Sequence, residues 1–358
     1  MAWIKKHKIL IIVLAVVLAL LIAMIGLVWQ KFSLINFGDS GETVDGPIDE
    51  SDVLTEDDMA GLEEKDPPAP PSGDIAGESN IFNVLLIGTD DYSEAFNKNA
   101  RSDSMILFSV NKKTGEMRMV SLERGMGVPV LAGQYEGNYD WLTHIFRYGG
   151  AELLMQTVRT CFKVEVDRYV RVNFNAVRKG IDAIGGIDMN LTAAEAEYMR
   201  TWHPDCVTGY NRLDGAKALD YARCRRIDSD WKRVGRQRAV IQAALAEFKN
   251  STLAELNTLM DDVLPLVQTN LTVKEMAELM AVAPQIISSS DTAQQMTIPA
   301  KGTYGSMKGL GGRSLYAVDF EENARILHAF LYEGKTAEAA VIKPTATTTT
   351  TTTTTAKP

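Results

Sequence analysis

Six arginines fall within sixteen residues in RCRRIDSDWKRVGRQR, Arg223 to Arg238, although the whole chain has a formal charge of -9. Guanidinium forks match phosphate oxygens two at a time and stay charged at any working pH. If the chain becomes extended after the helix ending DYAR, Arg223 and Arg225 share a face. Arg233 and Gln237 stand four apart and share a face of the next helix. The turn IDSD joins the two elements, with Asp228 or Asp230 as the helix cap. Two pairs of donors then converge across one cleft, and the two aspartates partly neutralise them. The same spacing also suits a structural arginine network on a helix surface.

A second charged window is GTDDYSEAFNKNARSDSMILF. A strand ends at Gly88, and Asp90 and Asp91 follow at its carboxyl end, the edge where open α/β sheets bind ligands. Arg101 and Asp103 lie two apart before the next strand, so an extended backbone points both to one face. Two carboxylates beside an arginine suit a magnesium ion and the phosphate that it serves. The alternative is a solvated loop with a local ion pair.

Several partners are excluded. The acidic chain shows no basic stripe with stacking aromatics, which argues against nucleic acid. No Gly-rich phosphate loop points to a free nucleotide. The three cysteines, Cys161, Cys206 and Cys224, lack zinc-ligand spacing. They allow one disulfide of undetermined pairing, with Cys161 on an apolar helical face that favours a buried thiol. What remains is a compact, highly charged ligand: a lipid-linked phosphate or pyrophosphate.

The elements that must position these groups alternate. Short apolar runs FNVLLIG, SMILFSVN and MRMVSLER read as strands, as do VDRYVRVN, AQQMTIPA and SLYAVDF. Between and after them GAELLMQTVRTCF, NAVRKGIDAIGG, DGAKALDYAR, WKRVGRQRAVIQAALAEFK and three later segments carry helical periodicity. The fold class is α/β, a mixed central β-sheet layered with α-helices. One transmembrane helix is expected before it. Residues 9–29 are uncharged and span about 31 Å as a helix, enough to cross a bilayer. Lys5, Lys6 and Lys8 place residues 1–8 in the cytoplasm. No small-residue cleavage site follows, so the span reads as an uncleaved signal anchor in the cell membrane, with the rest outside. Residues 30–78 read as an acidic, Pro-rich disordered linker, residues 79–341 as the globular domain, and 342–358 as a disordered Thr-rich tail.

The blocks NVLLIGTD, RSDSMILFSVN, VSLERG, LTHIFRYGGAELLMQTV, RYVRVNFNAVRKGIDAIGGIDM, LDGAKALDYARCRR and DWKRVGRQRAVIQA occur in this order. Together they resemble the LytR-CpsA-Psr family of cell-wall assembly proteins, over about residues 81–330. The resemblance implies a phosphotransferase that moves a glycopolymer, with one phosphate, from an undecaprenyl-pyrophosphate-linked precursor in the membrane to peptidoglycan or another envelope acceptor. It implies Mg2+ at Asp90 and Asp103, pyrophosphate binding by Arg101, Arg124, Arg223, Arg225, Arg233 and Gln237, and catalysis by Asp103, Arg101 and Arg124. Asp103 is either the base for the acceptor hydroxyl or a metal ligand. The polyprenyl tail is expected in an apolar groove, with Phe174, Val177 and Ile181 as lining or as ordinary core. Two positions depart: Trp141 stands where a lysine is common, and the family's Pro-Arg-Asp reads Glu123-Arg124-Gly125 here, which leaves Arg124 less constrained. The second departure motivates the alternatives, a non-catalytic polyprenyl-pyrophosphate binding protein or a cell-envelope regulator of the transcriptional attenuator type. The short cytoplasmic tail carries no DNA-binding element.

Overall fold

The computed structural model describes residues 30–38, 54–91, 96, 100–224, 227–289 and 293–343. The elements run β1 (Asn36–Phe37), α1 (Glu56–Met59), β2 (Ile81–Thr89), β3 (Ser102–Asn111), β4 (Met117–Leu122), β5 (Gly127–Pro129), β6 (Tyr139–Trp141), α2 (Leu142–Phe162), β7 (Arg168–Asn173) and α3 (Phe174–Ala183). They continue through β8 (Ile187–Leu191), α4 (Ala193–Met199), β9 (Gly209–Leu213), α5 (Gly215–Arg223), α6 (Asp230–Asn250), α7 (Leu253–Val263), β10 (Val267–Thr269) and α8 (Val273–Ser289). β11 (Gln294–Ile298), β12 (Tyr304–Lys308), β13 (Ser314–Val318), α9 (Phe320–Leu331) and α10 (Ala337–Val341) complete the order.

One sheet has the strand order β1-β10-β7-β2-β3-β4-β11. β2 is antiparallel to β3 and parallel to β7, and β4 is antiparallel to β3 and parallel to β11. The sheet is therefore mixed. Alternation along β2 divides its side chains between two layers. Leu85 and Ile87 are fully buried in the main core with Phe146 and Leu154 of α2 and Leu327 and Phe330 of α9. Each such side chain contributes about 1.5–3 kcal/mol of burial. Leu86 lines an open groove on the other face with Val177 of α3 and Ile241 of α6.

A second, smaller core joins α3 to α6 and the β8–β9 hairpin through Ile181, Ile187, Leu213, Ala218 and Val240. Side-chain caps start its helices: Asn173 accepts from the Ala176 N–H and Asp214 from the Lys217 N–H. Such caps contribute about 1 kcal/mol each. Gly215 is required where α5 meets α3, because a Cβ there would strike the Arg178 carbonyl oxygen.

Three expectations are corrected or extended. Residues 54–78, assigned by composition to the disordered linker, lie against the domain. Leu54, Met59 and Leu62 pack on the main core, the Lys65 N–H donates to the Ser306 carbonyl at 2.8 Å, and Ala76 bridges Val164. Sparse apolar residues in an acidic background anchor this segment, so the ordered domain extends back to residue 54. Asn36–Phe37 also joins the sheet, parallel to β10. The disulfide that the sequence allows is not formed, since all three cysteines are buried free thiols. The expected span at 9–29 and most of the Thr-rich tail lie outside the described residues. Among the described residues no helix is long and apolar enough to cross a membrane.

Candidate functional site

The two charged windows meet at one end of the sheet. Ladder pairing runs in register from Ile81↔Asn111 to Gly88↔Ser104, then shifts to Thr89↔Ser102. Asp103 is the extra residue of this bulge. A bulge breaks the alternation of a strand and re-aims one side chain. Asp103 and Ser104 consequently both line the same cavity, an outcome that strict alternation forbids. Arg101, just before β3, turns to Asp90: its backbone N–H donates to Oδ1 at 2.8 Å and its Nε to Oδ2 at 3.0 Å.

Beneath Asp103 lies a buried charge network. Arg124 is 2 % exposed. It donates to Asp103 Oδ1 at 2.9 Å and to both oxygens of Asp230 at 3.3 Å. Arg233 donates to Asp230 Oδ2 at 2.9 Å and to the Asp103 carbonyl at 3.3 Å. The expectation that Arg124 is loosely constrained is thus wrong: Asp230, on α6, supplies the restraint absent from position 125. Nor does Asp228 or Asp230 cap α6. Ser229 is the N-cap residue, without a side-chain cap bond, while Asp228 pairs with Arg236 at 2.7 Å. The space beside Gly125 is filled instead, because a Cβ there would lie 2.5 Å from Leu54 Cδ2.

Burial opposes the charge on Asp103, but Arg124, Arg233 and Arg101 outweigh it and hold the carboxyl below its usual range. Asp230 is likewise depressed, burial being overcome chiefly by Arg233. Glu123 goes the other way. It is wholly buried and neither oxygen accepts a hydrogen bond. Burial first, and then the Asp230 charge, push its carboxyl well above the carboxylate range. The proton is therefore held more tightly by the folded chain than by the unfolded one.

This sets a pH dependence. Above about pH 4.3 the unfolded chain releases the Glu123 proton while the folded chain keeps it, so this group's contribution to stability falls as pH rises. Glu123→Gln keeps the shape and stays neutral. Its melting temperature relative to the parent is expected to rise between about pH 4.5 and 8. A difference that stays flat across this range, or falls, would show that Glu123 is ionised in the fold.

Arg223, at the end of α5, and Arg233 and Gln237 of α6 line one cavity of about 130 Å³ with Asp103. The predicted convergence of Arg223, Arg233 and Gln237 is therefore present, while Arg225 lies outside the described residues. Arg223 also stacks on Phe174, 4.5 Å from the ring centroid. Leu86, Val172, Val177, Val240 and Ile241 line both this cavity and an apolar groove of about 310 Å³. Phe174 lines the charged cavity, Val177 both spaces, and Ile181 the groove. Among the described residues no group of three or more His, Cys, Asp or Glu forms a ready metal cage. The donor set suits a hard ion held partly by its substrate. Among the described residues nothing donates to Asp103 Oδ2, whereas both Asp90 oxygens already serve Arg101.

Two supporting groups were not singled out from sequence. Arg171 is fully buried, 3.6 Å from Asp91, with its guanidinium over Phe146. Alternation in RYVRVN does place it on the Tyr169 face, the one signal available. Trp202, beside Arg223, carried no sequence signal.

Arginines and carboxylates at the carboxyl end of a sheet, opening onto an apolar groove, define an α/β domain built for an anionic head with a hydrophobic tail. The chain belongs to the LytR_cpsA_psr family, which it matches over residues 54–329. It is 32% identical over 258 residues to the polyisoprenyl-teichoic acid–peptidoglycan teichoic acid transferase TagU of Oceanobacillus iheyensis, covering 70% of this chain and 75% of that one. The TagU of Bacillus cereus is 31% identical over 231 residues, covering 63% and 71%. A solved structure described as TagT bound to LIIa-WTA superposes with a TM-score of 0.56 at 25% identity, covering 71% of this chain and 91% of that one.

Proposed function

We propose that this protein transfers a glycopolymer, with one phosphate, from a polyisoprenyl-pyrophosphate-linked precursor to peptidoglycan; its relatives are named polyisoprenyl-teichoic acid–peptidoglycan teichoic acid transferases. The observation that carries the reading is the continuity of the apolar groove with the cavity lined by Asp103, Arg223, Arg233 and Gln237. The groove suits the prenyl chain, and the arginines suit the pyrophosphate. An acceptor hydroxyl oxygen bonds to the sugar-side phosphorus, its proton passes to Asp103 or to the departing phosphate, the pyrophosphate bridge breaks, and polyprenyl phosphate departs. Phosphoryl chemistry asks mostly for positioning and charge neutralisation. Arg223 and Arg233 stabilise the charge that collects on the departing phosphate.

Mg2+ would be held by Asp103 Oδ2 and substrate phosphate, with Asp90 joining if Arg101 turns to the ligand. When bound, it supplies further neutralisation of the phosphate oxygens. The depressed carboxyl of Asp103 is a weak base at rest, which favours its roles as ion ligand and anchor for Arg124. Pairing with an incoming phosphate would draw the arginines away and raise its basicity. Gly125 is the feature that favours a non-catalytic lipid binder. The hold of Asp230 on Arg124 supports the enzyme instead. The proposed location is the outer face of the cell membrane, anchored by residues 9–29, on the strength of their sequence alone.

The test is calorimetric titration of the detergent-solubilised full chain with polyprenyl pyrophosphate. Arg223→Ala is expected to weaken binding by about tenfold to a hundredfold, the value of one charged hydrogen bond. Affinity equal to the parent's would remove Arg223 from the site. No binding by the parent would overturn the lipid reading.

A further inference from the structure

The phosphate cavity accounts for one side of Arg223. Arg223 also lines a second cleft, of about 320 Å³, together with Tyr198, Trp202 and Asp220. Its size is at the lower end of small-ligand sites, about 300–1,000 Å³. Tyr198 ends the exposed flank of α4, and Trp202 follows in the turn that closes it. Their rings meet edge to face at 5.0 Å and 68°. Trp202 is 54 % exposed, although indole is among the costlier groups to leave in water. Its backbone is not loose: the Trp202 N–H donates to the Met199 carbonyl at 3.1 Å and the His203 N–H to the same oxygen at 2.8 Å. In the same cleft, Asp220 Oδ2 is held by His203 Nε2 at 2.8 Å, and among the described residues Oδ1 accepts no hydrogen bond.

We propose that this cleft is a saccharide subsite, taking the sugar ring joined to the pyrophosphate of the donor. The inference rests on the transferase reading above, which places a phosphate at Arg223. The chemistry of the walls fits a pyranose. A fixed indole face accepts the apolar C–H face of the ring, its N–H remains available as a donor, and a carboxylate oxygen accepts sugar hydroxyls. Because Arg223 belongs to both spaces, a phosphate that it holds borders both the cavity that opens to the groove and the cleft with the aromatic wall. The donor lipid has the same order: tail, pyrophosphate, sugar. A protein partner fits less well, since two of the four lining residues are charged.

The experiment compares Trp202→Ala with the parent, both as solubilised full chains, on polyprenyl pyrophosphate and on polyprenyl-pyrophosphoryl-N-acetylglucosamine. Trp202→Ala is expected to bind the sugar-bearing lipid about tenfold more weakly, the size of one aromatic contact, and the bare pyrophosphate lipid like the parent. Trp202→Phe should restore part of the difference. Equal affinities of parent and variant for the sugar-bearing lipid would overturn the subsite. So would an equal loss on both lipids, or lost binding to phosphatidylglycerol vesicles without pyrophosphate lipid, either of which makes Trp202 a membrane contact. A parent that binds neither lipid sinks the transferase reading instead. The subsite is then decided by soluble N-acetylglucosamine 1-phosphate: quenching of parent fluorescence that is lost in Trp202→Phe, and absent with inorganic phosphate, supports it, and no quenching overturns it.

Discussion

Asp103→Asn is expected to remove polymer transfer in a magnesium-containing assay, by about 10²–10⁴-fold, while polyprenyl-pyrophosphate binding persists or tightens. The asparagine oxygen still accepts from Arg124, which donates to Asp103 Oδ1 at 2.9 Å, so the side chain stays in place. What is lost is the charge on the atom that faces the cavity and any capacity to take a proton. Binding should not suffer, because removing a negative charge beside Arg101, Arg124 and Arg233 makes the cavity more cationic. Transfer and binding are to be measured on the same preparation. Transfer at the parental rate would eliminate both proposed roles of Asp103. A parent that transfers nothing, with or without magnesium, would leave a lipid binder.

Asp230→Asn should produce the largest loss of stability, about 3–5 kcal/mol, because it removes the charge that pairs with buried Arg233 and leaves buried Arg124 to Asp103. Arg124 and Arg233 are 2 % and 3 % exposed and both bond to this carboxylate. At about 2–4 °C per kcal/mol for a domain of this size, melting should fall by roughly 10 °C or more. Glu123 complicates the loss in a useful way. Once Asp230 is neutral, the ionised form of Glu123 is freed from the repulsion that disfavoured it and can take over the arginines. The double variant Glu123→Gln, Asp230→Asn should then be less stable than the sum of the two singles. Additive losses would mean that Glu123 and Asp230 do not share a proton. A single-variant loss below about 1 kcal/mol would mean that the arginines are satisfied elsewhere.

The chain announces its sheet more plainly than its site. β2, β3 and β4 are legible because each is an apolar run bounded by turn residues. α6 is legible because helical periodicity persists through its arginines. The β8–β9 and β12–β13 hairpins were not separated as pairs, since strands this short carry only a few alternating residues. Arg223, Arg233 and Gln237 were brought together correctly from local geometry. The bulge at Asp103 was not foreseeable, because it depends on how β2 and β3 pair, not on either strand. Nor was the grip of Asp230 on Arg124, a contact between residues 106 positions apart. Composition misled at residues 54–78, where few apolar residues sit among many acids. One of those few, Leu54, fills the space beside Gly125. Restoring the family aspartate at 125 therefore requires that leucine to move.

Pairing of Asn36–Phe37 with Gln268–Thr269 fixes how far the domain can stand from its proposed anchor. If residues 9–29 cross the bilayer, residues 30–35 alone connect the span to the sheet edge; Lys31 pairs with Asp261 and Phe32 and Ile35 pack on the domain, so the connection is shorter than the roughly 20 Å that six extended residues reach. The acidic stretch that looked like a spacer comes after this attachment and cannot lengthen it. With that span in the bilayer, so short a tether would keep the domain close to the headgroups, and a prenyl tail would need to leave the bilayer by no more than the height of the domain.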